Sequence, residues 1–169
     1  MNKLNSLHST TDSYMKQKEM TELHFEVLPP IKLPLIKRIY KDHYPSAKAK
    51  KDELCIVGII NDAICTVVRF RSIEQYRLLT GMLVVPVHRG QGVGSQLLGY
   101  CESHILTSQD YCFAYSHLES FYCAHGFRTL APNEIPQNLM QLLERYLRSG
   151  KDLIPMRYMG KASENNQLL

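Results

Sequence analysis

Long apolar runs are missing from this chain of 169 residues. Its longest such stretches, Cys55 to Ile60 and Met82 to Val85, fall far short of the roughly 20 residues that a membrane helix requires. The sequence therefore predicts no membrane span. The polar start, Met1 to Thr21, lacks the apolar segment and small-residue cleavage site of a secretory signal. Paired cysteines are also missing: Cys55, Cys65, Cys101, Cys112 and Cys123 are odd in number, lie in apolar surroundings and form no C-x-x-C. That usage argues against a disulfide framework and against zinc, and predicts buried thiols in a reducing, cytoplasmic setting. No His/Cys spacing supports a metal site. Charge of one sign is scarce as well, since 20 Lys and Arg against 16 Asp and Glu leave only +4. Without a basic stripe or interleaved aromatics, no nucleic-acid partner is expected.

What is present is ordinary globular material, 44% hydrophobic and 21% charged. A chain of this size buries about 68–70% of its unfolded surface, enough for a core without staples. The reading is one domain over 22–160, with polar segments 1–21 and 161–169 as flexible extensions.

Periodicity supplies the elements. Leu23 to Leu28 alternates and stops at Pro29-Pro30, a first strand. Pro34 suits the first turn of a helix carrying Leu35, Ile36, Ile39, Tyr40 and His43, which ends before Pro45. Glu53 to Ile60, Ala63 to Phe70 and Tyr76 to Val85 read as an antiparallel meander, the first turn being Asn61-Asp62. A helix over roughly Gly92 to Thr107, a strand Tyr111 to Tyr115, a short helix His117 to Ala124 and a strand Phe127 to Leu130 follow. Leu139, Leu142, Leu143, Tyr146 and Leu147 mark an amphipathic helix over Gln137 to Arg148, and Leu153 to Met159 closes the sheet. The fold class is α/β: a mixed, mostly antiparallel sheet of about seven strands with helices on both faces.

The chemistry centres on Val84-Val85-Pro86-Val87-His88-Arg89-Gly90-Gln91-Gly92-Val93-Gly94-Ser95, where a strand runs through a glycine loop into a helix. Glycines let the backbone approach a ligand, and free N–H groups at a helix N-terminus meet an anion. The spacing is wrong for two nucleotide motifs. A dinucleotide fingerprint starting at Gly90 would need glycine at Ser95, and a P-loop would need Lys followed by Ser or Thr where Tyr100-Cys101 follow Gly99.

The pattern Arg-x-x-Gly-x-Gly at Arg89, Gly92 and Gly94, followed by Leu97-Leu98, does match a known family. With it goes Phe121-Tyr122-Cys123-Ala124-His125-Gly126-Phe127, similar to an F-Y-x-x-x-G-F signature. Together these resemble the GCN5-related N-acetyltransferase (GNAT) superfamily. The resemblance implies acetyl-CoA as cosubstrate and no metal. It implies that Arg89, Gly90, Gln91, Gly92, Val93, Gly94 and Ser95 hold the CoA pyrophosphate, while Met82, Leu83 and Val84 run beside the pantetheine arm. It makes Tyr122 the proton donor to the departing thiolate. On physical grounds, Pro86 lacks a donor and would end strand pairing, opening a notch in which an N–H near Val84 could stabilise an oxyanion.

The departures from the family pattern are specific. Where many members place asparagine, this chain has Tyr115, leaving Ser116 as a substitute ligand for the pantetheine. The fourth strand has no carboxylate to act as base, so His117, Glu119 or a water chain stand in. Cys112 and Cys123 read as core thiols rather than acyl carriers, and His88 and His125 as exposed loop or helix-end residues. Lys32 to Lys51 carries seven basic residues against Asp42, which is a solvated face or a border favouring an anionic acceptor. The expected activity is direct acetyl transfer to a primary amine of an unidentified acceptor. The alternative is a non-catalytic acyl-CoA-binding sensor or interaction module. A monomer and a homodimer using the closing strand and the Leu139-to-Leu147 helix both fit.

Overall fold

The computed structural model describes residues 22–161, so the two terminal extensions expected from the sequence lie outside the described residues, apart from Lys161 at the start of the second. Seven strands form one sheet in the order β1-β2-β3-β4-β5-β7-β6. They are β1 (His24–Val27), β2 (Leu54–Ile60), β3 (Ala63–Ile73), β4 (Tyr76–Val84), β5 (Asp110–Tyr115), β6 (Phe127–Thr129) and β7 (Leu153–Tyr158). Every neighbouring pair is antiparallel except β4 and β5. The helices are α1 (Leu33–His43), α2 (Val93–His104), α3 (Glu119–Cys123) and α4 (Gln137–Arg148).

Local chemistry explains the boundaries. Asn61 and Asp62, at φ 50° and 60°, make the left-handed two-residue turn that matches strand twist between β2 and β3. In α1, Pro34 sits in the first turn and Ile36 and Tyr40, one turn apart, are buried. In α4, Leu139, Leu142 and Leu143 supply the buried stripe. The meander extends further than its apolar content indicates: β3 continues past Phe70 to Ile73, because a two-residue turn returns the chain at Tyr76. The last strand does not close the sheet at its edge. β7 enters between β5 and β6, pairing with β5 over Leu153–Arg157 and with β6 over Met156–Tyr158.

Side-chain alternation assigns the layers. Ile56, Val68, Phe70, Leu79 and Cys112 pack with Leu97, Leu98 and Cys101 of α2 and Tyr122 of α3. Their sequence neighbours Val57 and Val67 point the other way and pack with Ile36 and Tyr40 of α1, while Leu78 and Tyr111 pack with Leu139 and Leu142 of α4. On β4 this alternation reverses partway. Leu79 faces α2, whereas Leu83, four residues on, faces α1. The cause is a β-bulge: Val67 pairs with Leu83 and Arg69 with Thr80, so Gly81 and Met82 oppose Val68 alone. Gly81 takes φ +61°, a conformation that favours glycine.

Candidate functional site

The notch in the sheet begins at this bulge. Parallel pairing between β4 and β5 covers Arg77–Asp110, Leu78–Tyr111 and Leu79–Cys112, and then stops. β4 meanwhile stays paired with β3, with the Val85 amide donating to the Cys65 carbonyl at 2.8 Å. The strands therefore diverge after Leu79, several residues before the proline that the sequence had suggested as the breaking point. Divergence leaves the β5-facing edge of Thr80 to Val84 without a strand partner and opens a cleft of about 340 Å³.

Tyr122 lines this cleft from α3, together with Thr80, Gly81 and Met82 of β4 and Cys112 to Tyr115 of β5. Its hydroxyl donates to Met82 Sδ at 3.7 Å. Burial pushes the Tyr122 phenol up from its ordinary value, with Cys112 and Tyr44 adding to the effect, so it keeps its proton at neutral pH. Across the cleft, hydrogen bonding to Tyr44 and partial burial push the Tyr115 phenol up as well.

The glycine loop lies on the other side of Met82. Gly90 and Gly92 take φ +74° and +76°, and a Cβ built on either would meet nothing within 4 Å. These glycines are needed for backbone geometry alone, and the surface they leave is open. Gly92 caps α2, with its carbonyl accepting from the Gln96 amide at 3.0 Å; the amides of the first turn precede any intrahelical partner. Gly94 is different, since a Cβ there would come within 3.3 Å of Met82 Cε and 3.5 Å of Val84 Cγ2. Met82 thus joins the two halves, with its sulfur on Tyr122 and its methyl against the loop.

The remaining expected ligands fall into place unevenly. Val93 is buried under the helix start and Leu83 points into the α1 core, so only their backbones face the groove side. Arg89 Nε donates to the Val84 carbonyl at 2.9 Å and Gln91 Nε2 to the Val87 carbonyl at 3.3 Å; both side chains brace the loop. Ser95 Oγ lies 2.9 Å from His125 Nε2. Ser116 donates its hydroxyl to Asp152 and does not line the cleft. Neither His117 nor Glu119 lines it either, and Glu119 accepts from Thr129 Oγ1 at 2.6 Å. Of the substitutes considered, Ser116 is thus engaged by Asp152 and Glu119 by Thr129, while the His117 ring lies 5.9 Å from that of Tyr115.

Sequence reasoning pointed to Lys48 and Lys50 through the basic stretch but missed the buried network behind the cleft. Arg69, 3% exposed, places Nη1 2.5 Å from Glu53 Oε2 and 2.9 Å from the Lys48 carbonyl. Its Nε donates to Tyr40 Oη at 3.1 Å, and Tyr40 in turn donates to the Gly81 carbonyl at 2.5 Å. This chain of bonds fixes the bulge from behind. Glu53 is the acidic residue of the cleft wall, and it is spent on Arg69. Lys48, Lys50, Arg71 and Lys151 line the same wall and have no carboxylate partner among the described residues. A glycine inside a strand pattern was the available signal for the bulge; nothing local marks Arg69, Arg71 or Lys151.

Two single-residue readings need correction. Four cysteines are buried, but Cys123 is exposed, because α3 is a single amphipathic turn and residue 123 falls on its outer side. His125 is 8% exposed: its ring is drawn inward onto α2 by Ser95 and Glu102.

A splayed mixed sheet with a glycine-capped helix beside the splay is the fold of the GNAT acetyltransferases. Residues 51–129 match the family model described as an acetyltransferase (GNAT) domain. Among solved structures it is similar to the ribosomal-protein-S18-alanine N-acetyltransferase of Escherichia coli, at TM-score 0.55 and 14% identity, over 87% of this chain and 100% of that one. It is also similar to the PaiA N-acetyltransferase of Thermoplasma acidophilum in complex with coenzyme A, at 0.53 and 12%, over 81% and 98%. A third is N-acetylglutamate synthase of Neisseria gonorrhoeae complexed with coenzyme A and N-acetyl-glutamate, at 0.57 and 13%. There the match covers 82% of this chain but spans only 35% of that protein's length. At these identities the likeness is one of fold. No curated protein matches the chain. No described helix is long and apolar enough to cross a membrane.

Proposed function

We propose that this protein transfers an acetyl group from acetyl-CoA to the primary amine of a negatively charged acceptor, by direct attack in a ternary complex. The observation that carries the reading is the buried Tyr122 hydroxyl inside the cleft where β4 leaves β5. Acetyl-CoA, when bound, supplies a thioester that an amine can open with release of a thiolate.

The residues present fit that cosubstrate. The open surface at Gly90 and Gly92 and the amides of Val93, Gly94 and Ser95 suit a pyrophosphate, because a helix N-terminus carries partial positive charge. The free edge of Met82 to Val84 suits an extended arm added beside β4, and an N–H on that edge can stabilise an oxyanion. Tyr122 holds the proton that the leaving thiolate requires; burial keeps it on the phenol at neutral pH, a thiolate forming in the same buried site gains by accepting it, and the proton shed by the attacking amine restores the phenol. The cleft favours an anion, since Lys48, Lys50, Arg71 and Lys151 have no carboxylate partner among the described residues and Glu53 is paired with Arg69. The same cations disfavour a bound ammonium, which helps deliver the amine in its neutral, nucleophilic form although the wall offers no free carboxylate as base.

The test is a panel of neutral, cationic and carboxylate- or phosphate-bearing amines with acetyl-CoA, following thiol release, with Tyr122→Phe beside the wild type. General-acid loss typically costs about 10²-fold or more, so the variant should lose about a hundredfold in kcat while binding acetyl-CoA as tightly as before. Turnover of cationic amines in preference to anionic ones would overturn the acceptor reading. Tight acetyl-CoA binding with no turnover of any amine would favour the non-catalytic module, and absence of binding would sink both.

A further inference from the structure

We infer that His125, held by Glu102, is a positioning residue that sets which way the Ser95 hydroxyl points, and so tunes the grip of the α2 N-terminus on a pyrophosphate. The inference rests on the reading of that loop as the CoA cradle. It concerns three side chains outside the cleft: Ser95 in the first turn of α2, Glu102 two turns on, and His125 after α3.

The geometry fixes the proton on one side. His125 Nδ1 lies 2.5 Å from Glu102 Oε1, and an ionised carboxylate only accepts, so Nδ1 carries a hydrogen. In the neutral ring Nε2 is then a bare acceptor, and its neighbour at 2.9 Å, Ser95 Oγ, must donate to it. The Ser95 proton is thereby turned inward, and the oxygen presents lone pairs to any anion in front of the helix. In the imidazolium both nitrogens donate. Nε2–H then points at Ser95 Oγ, the hydroxyl proton is released, and Ser95 can donate outward to a phosphate oxygen.

The charged groups that face the ring are Glu102 and, 3.4 Å from its Oε2, Lys161 Nζ. From β7, Tyr158 lies near enough to Glu102 for the carboxylate to raise its phenol, after burial, and Phe121 packs edge-on at 5.4 Å without adding charge. Imidazole is the side chain that ordinarily changes charge between pH 5 and 8. Ser95 is exposed while His125 is buried, so the ligand meets the serine and the proton resides behind it.

The test is calorimetric titration of the full chain with 3′-dephospho-coenzyme A from pH 5.5 to 8.0. This probe lacks the terminal phosphate that titrates in the same range, so its pyrophosphate charge stays constant. A charge-assisted switch of one hydrogen bond should make wild-type binding about fivefold tighter at pH 5.5 than at 8.0. Ser95→Ala, an exposed change that leaves His125 and Glu102 in place, should reduce that ratio below about twofold. His125→Gln, whose amide does not titrate, should bind with no slope. A wild-type affinity independent of pH, or an unchanged slope in Ser95→Ala, overturns the inference while leaving the cradle standing. Absence of binding at every pH overturns the cradle itself and the inference with it.

Discussion

The two ends of the cleft are built in different ways. The loop end is contiguous: Arg89 to Ser95 supply its backbone, and Arg89 and Gln91 brace it through bonds to residues only five and four positions away. The other end, the acceptor end of the proposed reaction, is assembled from the loop before β2, β3, β4 and the start of β7, and the Tyr40–Arg69–Glu53 network ties α1 and that loop to β3 and β4. A contiguous site tolerates changes elsewhere in the sheet. An assembled one depends on buried polar groups whose partners come from far along the chain, where losing one leaves the others unsatisfied.

The largest expected effect breaks the assembled end. In Glu53→Ala the Arg69 guanidinium stays buried without its carboxylate, since both side chains are 4% exposed; removing one partner of such a pair typically costs about 3–5 kcal/mol. Urea denaturation of the variant should show a loss in this range, with the released Tyr40 and Gly81 disturbing the cleft. A loss below about 1 kcal/mol, the value of an exposed pair, would show that the network is not what holds the bulge.

A pair of glycine substitutions sharpens the contrast. Gly81 and Gly92 share a left-handed φ, +61° and +76°, but not their surroundings. A Cβ at Gly81 would sit 2.7 Å from Arg69 Nη2 and 2.9 Å from the Tyr40 hydroxyl, whereas one at Gly92 meets nothing. Gly92→Ala should cost only the left-handed penalty, about 1–2 kcal/mol, and weaken CoA binding by shifting the cradle amides. Gly81→Ala should be the more destabilising of the two, because the clash is added and the buried network must move. Equal losses in chemical denaturation would mean that backbone conformation alone decides both sites.

The same contrast governs what could be read in advance. All seven strands and four helices were legible, because alternation and helical spacing are local and the punctuating residues Pro29, Asn61, Asp62 and Gly150 sit where turns fall. The loop end was legible for the same reason, as one run of sequence. At the acceptor end, alternation on β4 points the wrong way beyond Gly81: an extra residue exchanges the faces of Leu83 and Leu79. Arg69 sits between the apolar Val68 and Phe70, and only its meeting with Glu53 and Tyr40 makes it a buried brace. His125 misled in the opposite sense. A histidine before a glycine at a helix end looks like a surface residue, and its partners Ser95 and Glu102 lie more than twenty positions upstream.

The smallest expected effect compares the cores behind the two ends, each of which holds a buried thiol. Burial, then Glu53, pushes Cys55 behind the acceptor end up to about 11; burial, then Asp110, pushes Cys101 under the cradle helix up to about 12. An unfolded thiol ionises near its ordinary value of about 8.5. Above that pH the unfolded chain therefore binds fewer protons than the folded one, and stability falls as pH rises. Each thiol contributes a slope of at most about 1.4 kcal/mol per pH unit, present from the unfolded value up to the folded one. The Cys55 contribution should level off near pH 11 and that of Cys101 near 12. Other groups titrate in the same range, so the quantity to measure is the difference in urea stability between wild type and Cys55→Ala or Cys101→Ala at pH 8, 9.5 and 10.5, pH values chosen at about one unit or more apart. Each difference should shrink as pH rises, because the variant lacks the thiol whose ionisation penalises the wild-type fold. Differences that stay constant would mean that the cores admit the thiolates, and that both ends of the cleft are backed by wetter packing than their burial indicates.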